Sequence, residues 1–374
     1  MEHYFENEGD KVCQYVIADG VKDAVNSAVV TIATKASTDA DYRTAIGALA
    51  AFEYPAINMP KVGSYYRLKN GASGWYATSD LRTGEAQHAN KLYMAEDGTQ
   101  ANTIWYVDSN NALLSYTKGQ YLGDMSSDWS FEAIGSKGNA TTFVKGATIG
   151  KIQIKPSDGR SLYGDKVRVD AAGEGNNSGN YEWVIEEVTE LPVTVTAAGY
   201  ATLYAPVALT VPVDVTAHTV TLNGEWAILS EALTTIPANT GVVLVGEGSH
   251  SFAIATADAF EGENALEGTV AATNVTKDAY VLGVVDEKVG FYTATKNQAE
   301  NSAWKNNSHK AYLPKTTGMN AVSYSFRFGE GTTGVENVVV ENEVKAIYDL
   351  TGRRVENISA PGIYIINGVK TLVK

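Results

Sequence analysis

Cysteine is almost absent from this 374-residue chain, which has Cys13 alone. One cysteine cannot form an intrachain disulfide, so packing and hydrogen bonds must hold the fold. Histidine is scarce as well, and a structural zinc site needs cysteines and histidines at short spacings. The five histidines stand far apart, at His3, His88, His218, His250 and His309. The sequence therefore predicts no metal site, and it indicates no cofactor.

Positive charge and long apolar runs are also scarce. The chain has 29 basic and 43 acidic residues, a formal net charge of −14, and such a chain repels nucleic acid. No apolar run approaches the roughly 18 residues of a membrane span. Residues 1–6 are acidic and lack the apolar core of a signal peptide. We therefore expect the chain to be the C-terminal portion of a longer exported protein.

Catalytic motifs are missing too. There is no Gly-x-Ser-x-Gly elbow for a nucleophilic serine, and no glycine-rich phosphate loop. Acidic residues are too numerous to single out the carboxylate pair that a glycoside hydrolase needs. We therefore predict no catalytic residue in this chain, while a glycan-active parent protein with an upstream catalytic domain stays open. A glycoside hydrolase site within these residues is the weakest alternative.

Apolar residues make up 44% of the chain, enough for more than one packed domain. A helical period over 12–52 places Val21, Val25, Ala28, Val29 and Ile32 on one face. After it come short Tyr-, Val-, Ile- and Thr-rich runs, which are typical of strands. We predict a mainly all-β fold. Its parts are a helical hairpin from the end of an upstream region (1–57), a β-trefoil-like domain (58–190), a β-sandwich-like spacer (191–330) and a linker with a C-terminal β tail (331–374).

A weak threefold repeat supports the trefoil. The segments 74–80, 119–124 and 159–165 each place a glycine, an aromatic residue and an aspartate in that order. Their glycines lie 45 and 40 residues apart, and each segment follows an alternating apolar run, at 65–69, 112–116 and 151–155. Three repeats of this length cannot bury their apolar faces singly, which favours a β-trefoil.

The repeats carry a resemblance to a known family. The opening strand at 65–70, together with Trp105, Trp129 and Trp183, resembles the ricin-type lectin β-trefoils over about 58–188. That family has glutamine two residues before its tryptophan, whereas this chain has Thr103, Ser127 and Tyr181 at those positions. The resemblance implies a trefoil fold and a glycan ligand.

A sugar presents an apolar face bounded by hydroxyl groups, so an aromatic ring beside a carboxylate suits it. The predicted glycan-binding residues are Trp75, Tyr76, Asp80, Tyr121, Asp124, Tyr163 and Asp165. Trp75 is the predicted exposed stacking ring, and the repeat with Tyr121 and Asp124 is the favoured site. Alternatively, the tyrosines are core residues and the aspartates form turns. Both β-domains would then be spacers that present an upstream catalytic or adhesive domain.

The last residues carry a second resemblance. Apolar runs in 344–374 are separated by Thr351-Gly352, Pro361-Gly362 and Asn367-Gly368, pairs that mark tight β turns. Segments 347–355 and 361–365 resemble the signature segments of the type IX C-terminal sorting domain of Bacteroidetes surface proteins, over 335–374. Segments 199–207 and 236–244 resemble a β-domain that precedes this tail in such proteins. The resemblance implies an extracellular or outer-surface location and the secretion machinery as partner. Alternatively, 335–374 is a structural appendage.

Overall fold

A computed structural model describes residues 5–34, 38–50, 55–82, 91–123, 134–135, 138–156, 160–172, 179–297, 302–329, 347–349, 354–355, 362–366 and 369–373. The chain divides into two compact units, Met1–Glu330 and Gly331–Lys374. Strand is the predominant secondary structure of the described chain, as the alternating runs predict.

Two helices near the N-terminus, α1 (Val21–Ala33) and α2 (Asp39–Ala50), pack against each other and confirm the predicted hairpin. Thr38 begins α2 as a cap, because its hydroxyl accepts a hydrogen bond from the backbone N–H of Asp41 at 3.2 Å. On the predicted apolar stripe Val25 and Ala28 are buried, whereas Val29 is 48% exposed. The helix pair therefore buries only part of its apolar face.

The segments that flank the helices belong to the core of the next domain. Strands β1 (Tyr15–Val16) and β2 (Ala56–Ile57) pair antiparallel. Val12, Cys13, Tyr15 and Ile57 are buried in the same hydrophobic cluster as Trp105 and Trp183. Residues on both sides of the helix pair thus close one end of the domain that follows.

The described residues between 65 and 187 supply twelve strands. They are β3 (Tyr65–Asn70), β4 (Tyr76–Leu81), β5 (Leu92–Ala95), β6 (Ile104–Val107), β7 (Leu113–Ser115), β8 (Tyr121–Leu122), β9 (Ile134–Gly135), β10 (Thr141–Lys145), β11 (Ile152–Pro156), β12 (Ser161–Gly164), β13 (Arg168–Ala172) and β14 (Trp183–Glu187).

Six of these strands form a ring. The pairs β3–β6, β6–β7, β10–β11, β11–β14 and β14–β3 are all antiparallel. The backbone N–H of Thr141 donates to the carbonyl of Asn111 at 3.0 Å and links the β7 and β10 sides. The other six strands form three hairpins, β4–β5, β8–β9 and β12–β13. Three four-stranded units, each with two ring strands and one hairpin, make a β-trefoil, as predicted.

The strand register shows which residues of the three units correspond. Trp105 Nε1 donates to the carbonyl of Ala77 at 3.1 Å, and Trp183 Nε1 donates to that of Leu162 at 2.9 Å. Both tryptophans are fully buried and hold the hairpin of their own unit against the ring. The same register places Thr141 at this position in the second unit, whereas the predicted Trp129 lies outside the described residues.

Residues 190–328 supply sixteen further strands. They are β15 (Glu190–Val195), β16 (Tyr200–Leu203), β17 (Ala208–Thr210), β18 (Thr216–His218), β19 (Val220–Asn223), β20 (Trp226–Leu229), β21 (Thr235–Ile236), β22 (Val242–Val245), β23 (Gly248–Ala255), β24 (Glu267–Thr269), β25 (Thr273–Val275), β26 (Ala279–Val285), β27 (Lys288–Thr293), β28 (Trp304–Asn306), β29 (Lys310–Pro314) and β30 (Ser323–Phe328).

These strands form sheets in a β-sandwich-like arrangement, as predicted. One sheet has the order β15-β23-β17-β21, a second β16-β22-β18, and the largest β19-β20-β30-β27-β26-β29-β24. Strands β25 and β28 pair separately. The alternating runs in the sequence become strands because their apolar members, such as Phe252 and Phe291, are fully buried.

The trefoil and the sandwich share a hydrophobic cluster. Its trefoil side contains Tyr65 and Tyr116, and its sandwich side contains Leu191, Leu203 and Phe252. The hydroxyl of Tyr116 also donates to the carbonyl of Pro192 at 2.7 Å. The two domains are therefore packed as one body.

The second compact unit contains β31 (Ile347–Asp349), β32 (Arg354–Val355), β33 (Gly362–Ile366) and β34 (Val369–Val373), in the sheet order β32-β31-β33-β34. The predicted short β tail is confirmed as structure. Neither helix in the described part of the chain has the length and hydrophobicity to cross a membrane.

Candidate functional site

An open cleft of about 610 Å³ lies where the trefoil meets the sandwich. Strands β3, β4 and β14 and the loop after β5 contribute from the trefoil, and β15 and β23 contribute from the sandwich. Its polar lining consists of Arg67, Tyr76, Glu96, Asp97, Thr99, Glu186, Glu187, Thr189, Glu190 and Ser251, and Gly98 and Pro192 complete it. We call this the junction cleft.

Arg67 and Glu186 form the floor of the junction cleft on its trefoil side. They are cross-strand partners on β3 and β14, and Arg67 lies between Tyr66 and Leu68, which point into the barrel. Arg67 Nε donates to the hydroxyl of Thr103 at 3.2 Å. Partial burial lowers the pKa of Arg67, and this effect outweighs the attraction of Glu186, Tyr76 and Asp97, which raises it.

Tyr76 is held firmly at the edge of the cleft. Its hydroxyl lies 3.2 and 3.1 Å from the two carboxylate oxygens of Glu186, and the Lys69 ammonium lies 5.3 Å from the ring centroid. Gly98 packs so closely on the ring that a Cβ there would lie 2.6 Å from Tyr76 Cζ. Tyr76 therefore offers a fixed polar group to the cleft rather than an uncovered ring face.

The remaining polar groups are also positioned by hydrogen bonds. Asp97 accepts from the backbone N–H of Thr99 at 2.8 Å and from its hydroxyl at 2.7 Å. These two bonds, the backbone one first, lower the pKa of Asp97. Across the cleft, Ser251 donates to Glu190 Oε2 at 2.5 Å. The cleft thus presents carboxylate acceptors and hydroxyl groups in defined positions.

Five carboxylates face one guanidinium in this lining: Glu96, Asp97, Glu186, Glu187 and Glu190 against Arg67. Such a lining attracts hydroxyl donors and cations and repels anions. Among the described residues, no group of three or more His, Cys, Asp or Glu is arranged to hold a metal ion.

Of the predicted site residues that the structure describes, Tyr76 alone lines the junction cleft. Trp75, predicted as an exposed stacking ring, is only partly exposed and packs against the trefoil core. Apolar burial of the indole outweighs its display to solvent. A half-covered ring offers less surface for stacking than the sequence suggests.

Asp80 joins two units of the trefoil. Its Oδ1 lies 2.9 Å from Lys118 Nζ, and its Oδ2 accepts from Asn102 Nδ2 at 2.7 Å. Partial burial alone would raise the pKa of Asp80, but the hydrogen bonds from Lys118 and Asn102 lower it overall. Its carboxylate therefore has a structural role, and its role as a sugar ligand stays a prediction.

Tyr121 is the counterpart of Tyr76 in the second unit. Each precedes the core residue of its hairpin, Ala77 or Leu122, and each pairs with the first strand of its unit. Tyr121 lines a second cleft of about 560 Å³ with Gln120, residues 271–274 and Lys305. Its predicted partner, Asp124, lies outside the described residues.

Tyr163 and Asp165 lie on the hairpin of the third unit, where Asp165 forms the turn. Asp165 Oδ1 accepts from the backbone N–H groups of Val167 at 2.6 Å and Arg168 at 2.8 Å. Tyr163 donates to Asp165 Oδ2 at 3.3 Å. By strand register, Ser161 rather than Tyr163 corresponds to Tyr76. The predicted residues that the structure describes therefore lie in three separate units of the trefoil.

Most of the junction cleft lies outside the predicted site residues. In the sequence, Glu186 and Glu187 have the pattern of solvated surface charge, and Asp97-Gly98 has that of a plain turn. The available signal was alternation: Arg67 and Lys69 interrupt an apolar strand at every second position, so they must point out of the barrel.

Fold and cleft together define a β-trefoil packed on a β-sandwich-like domain, with a polar, carboxylate-rich cleft at their junction.

No family model and no curated protein matches the chain. Among solved structures, it is similar to a ricin B-like lectin of Macrolepiota procera in complex with lactose, with 15% identity and a TM-score of 0.29 over 35% of this chain and 100% of that chain. It is also similar to the BEL β-trefoil, with 15% identity and a TM-score of 0.28 over 35% and 97%. Similarity to Cry35Ab1 has 10% identity and a TM-score of 0.22, over 44% of this chain and 63% of that chain. The trefoil assignment rests on the strand pairing, not on these scores.

Proposed function

We propose that this chain is a non-catalytic carbohydrate-binding region, and that it binds neutral or amino sugars in the junction cleft. One observation carries the proposal: the cleft brings five carboxylates, Arg67, Tyr76 and the hydroxyls of Thr99 and Ser251 to one open surface. Sugar hydroxyls donate to carboxylates and accept from guanidinium and hydroxyl groups. The excess of negative charge disfavours sulfated and sialylated sugars.

The test is binding of the full chain to a glycan array, followed by calorimetry with the best neutral ligand. Glu187 is an exposed carboxylate of the cleft, so Glu187→Gln should weaken binding about three- to tenfold without affecting the fold. Tyr76→Phe should weaken it similarly. The matched control is Glu263→Gln, an exposed carboxylate outside the cleft, which should bind normally.

Two results would contradict the proposal. One is an array without any bound glycan. The other is a ligand whose affinity is the same for the unmodified chain, Glu187→Gln and Tyr76→Phe. Stronger binding of a sulfated glycan than of its neutral parent would contradict the charge selectivity alone.

A purely structural role is the second candidate. The observation that favours it is the engagement of Asp80 with Lys118 and Asn102, and of Asp165 with its own turn, together with the shared hydrophobic cluster. A rigid body of this kind suits a spacer that presents another domain. This role predicts an array without bound glycan for a chain that is folded by circular dichroism.

The proposal treats the chain as non-catalytic. Incubating the full chain with the oligosaccharides that bind it, and separating the products by chromatography, tests this. Unchanged oligosaccharides are expected. Shorter products that disappear in a Glu186→Gln variant would show hydrolysis in the junction cleft and overturn the non-catalytic assignment.

We further propose that residues 335–374 direct export to the outer cell surface. The support is the resemblance of 347–355 and 361–365 to sorting-tail segments. Deleting 335–374 in a host with a type IX pathway should abolish surface display, measured by antibody labelling of intact cells. Display that persists after the deletion would show that these residues are an appendage of the fold.

A further inference from the structure

A third cavity lies within the sandwich, away from the junction cleft. It is a pocket of about 490 Å³ between β16 of the three-stranded sheet, β26 and β29 of the largest sheet, and β28. This volume is within the range of small-ligand sites in proteins. We call it the Lys310 pocket after the residue at its base.

The walls of the Lys310 pocket are largely apolar. The apolar side chains of the lining include those of Leu282, Val284, Val289, Ala294 and Trp304. Trp304 is fixed, because its ring packs edge-on against Tyr312 with centroids 5.0 Å apart and its Nε1 donates to the carbonyl of Lys277 at 3.0 Å. The pocket therefore has a preformed surface for a hydrocarbon or aromatic group.

Lys310 supplies a cation at the base of these apolar walls. Lys310 Nζ donates to the carbonyl of Thr202 at 3.3 Å. Asn306 Nδ2 donates to the backbone carbonyl of Lys310 at 2.9 Å, so both the side chain and the backbone of Lys310 are positioned. An ammonium has three donors, and among the described residues no carboxylate forms an ion pair with this one. Burial lowers the pKa of Lys310, as expected for a charge without an anionic partner.

The charge of the lining contrasts with that of the whole protein. The chain carries a formal net charge of −14, yet none of the described residues that line the Lys310 pocket is acidic. Lys305 adds a second positive charge at the mouth, where it is exposed. An unpaired, partly buried ammonium under apolar walls is complemented by an anion attached to an apolar body.

We infer that the Lys310 pocket binds a carboxylate carried on an apolar group, with the carboxylate on Lys310 and the apolar group against the apolar side chains of the lining. A small aromatic or aliphatic acid and the C-terminal residue of a peptide share this chemistry. The inference is independent of sugar binding in the junction cleft.

Calorimetry on the full chain with phenylpropionate tests the inference, and phenylpropanol is the matched probe without charge. The acid should bind at least about tenfold more tightly than the alcohol, since a charge-assisted hydrogen bond supplies the difference. Lys310→Met keeps the apolar stem and should remove this preference. Lys288→Met, an exposed lysine outside the pocket, should leave it unchanged.

A second pair of variants keeps the test decisive if Lys310→Met fails to fold. Val284 is 53% exposed at the rim of the pocket, so its replacement should not affect the core. Val284→Glu should weaken binding of the acid more than Val284→Gln does, because both changes remove the same apolar contact but only glutamate repels the carboxylate. Measurable binding of acid and alcohol with equal affinity, acid binding unchanged in folded Lys310→Met, or equal acid binding by Val284→Glu and Val284→Gln would overturn the inference.

The source of the carboxylate is decided by a second pair of probes. These are N-acetyl-alanyl-phenylalanine and its C-terminal amide. Binding of the peptide acid but not of phenylpropionate identifies a peptide C-terminus, and binding of phenylpropionate identifies a free acid. If neither acid binds at millimolar concentration, the inference is wrong.

Discussion

His309 is a buried imidazole at the contact between trefoil and sandwich. Its ring lies 4.7 Å from that of Tyr116, and its Nδ1 is 3.1 Å from the carbonyl oxygen of Tyr204. Its Nε2 is buried and has no hydrogen-bond partner among the described residues. Burial lowers the pKa of His309 from 6.5 to about 4, and the hydrogen bond to Tyr204 offsets this only in part. The histidine is therefore neutral in the folded protein at neutral pH.

This predicts a loss of stability in mild acid. Below pH 6.5 the unfolded chain gains a proton at this residue that the folded chain does not accept until about pH 4, so unfolding becomes easier across that interval. The shift corresponds to ~3 kcal/mol between the two limits. Urea unfolding at a series of pH values measures it.

The matched variant is His309→Asn. Residue 309 has a φ of 55°, which asparagine tolerates better than most residues do. The variant should be less stable at pH 7 but should lose less stability between pH 6.5 and 4 than the unmodified chain. An equal loss in both proteins would show that other groups cause the acid sensitivity.

The Asp80–Lys118 pair allows a second prediction for single residues. Both side chains are more than a third exposed, so solvent screens the pair and Lys118→Met should cost less than about 1 kcal/mol of unfolding free energy. The cost should shrink in high salt. Thermal unfolding in low and high salt measures it.

Asp80→Asn separates a structural role from a binding role. If Asp80 is only structural, the variant loses a little stability and binds glycan normally. If its predicted role as a sugar ligand holds, glycan affinity falls well beyond the change in stability.

The turns between the first and second strands have the same backbone geometry in the first two units of the trefoil. Gly74 and Gly119 have φ values of 74° and 59°, in the left-handed region, and each donates its N–H to the carbonyl four residues earlier, Asn70 or Ser115, at 2.9 Å. Their surroundings differ. A Cβ at Gly74 would meet nothing within 4 Å, whereas one at Gly119 would collide with Ala272 and Ser308 of the sandwich.

The two glycines therefore form a matched pair for mutation. Gly74→Ala should cost about 1 kcal/mol through backbone strain alone. Gly119→Ala should cost about 3 kcal/mol or more, because the methyl group also displaces the sandwich. Chemical denaturation of the two variants compares them, and equal costs would mean that the contact at Gly119 yields easily.

The sequence predicted elements well where the signal was local. The alternating run at 65–69 became β3 because alternate members, such as Tyr66 and Leu68, fill the barrel. In the sequence repeat Tyr163 corresponds to Tyr76, whereas the indole hydrogen bonds of Trp105 to Ala77 and of Trp183 to Leu162 match Ser161 to Tyr76. Tyr76 and Tyr121 stand two residues after Gly74 and Gly119, whereas Tyr163 stands four residues after Gly159, so equal spacing from the glycine points to Ser161.

Local sequence patterns could not predict the junction cleft, and the reason is physical. Arg67 and Glu186 become neighbours only when β14 closes the barrel against β3, and Ser251 arrives from a different domain. Each of these residues looks like ordinary surface charge or polarity in its own segment. The grouping depends on closure of the barrel and on the domain contact, which a single sequence does not show.

At the scale of the whole molecule, the shared cluster makes trefoil and sandwich one cooperative unit. Ala272 donates its N–H to the carbonyl of Gly119 at 2.8 Å. The Ser308 hydroxyl donates to the backbone carbonyl of Tyr116 at 3.1 Å. These bonds, with the burial of Tyr65 and Tyr116, leave little independent motion between the two domains.

Calorimetry should therefore show trefoil and sandwich unfolding in one transition. Tyr116→Ala should lower the free energy of unfolding by about 3–5 kcal/mol, because it removes a buried ring from the contact. It should not split the single transition into two. Val213→Ala, at a fully exposed position, should leave it unchanged. Two resolved transitions in the unmodified chain would contradict the single unit.

Chemical modification of Cys13 can report the opening of one end of the trefoil barrel. Its sulfur accepts the backbone N–H of Ile185 on β14 at 3.3 Å, and burial raises the pKa of the thiol to about 11. The reactive thiolate is therefore suppressed while the N-terminal segment closes the barrel. Because the chain has no other cysteine, the rate at which a disulfide reagent modifies it measures how often this end of the barrel opens.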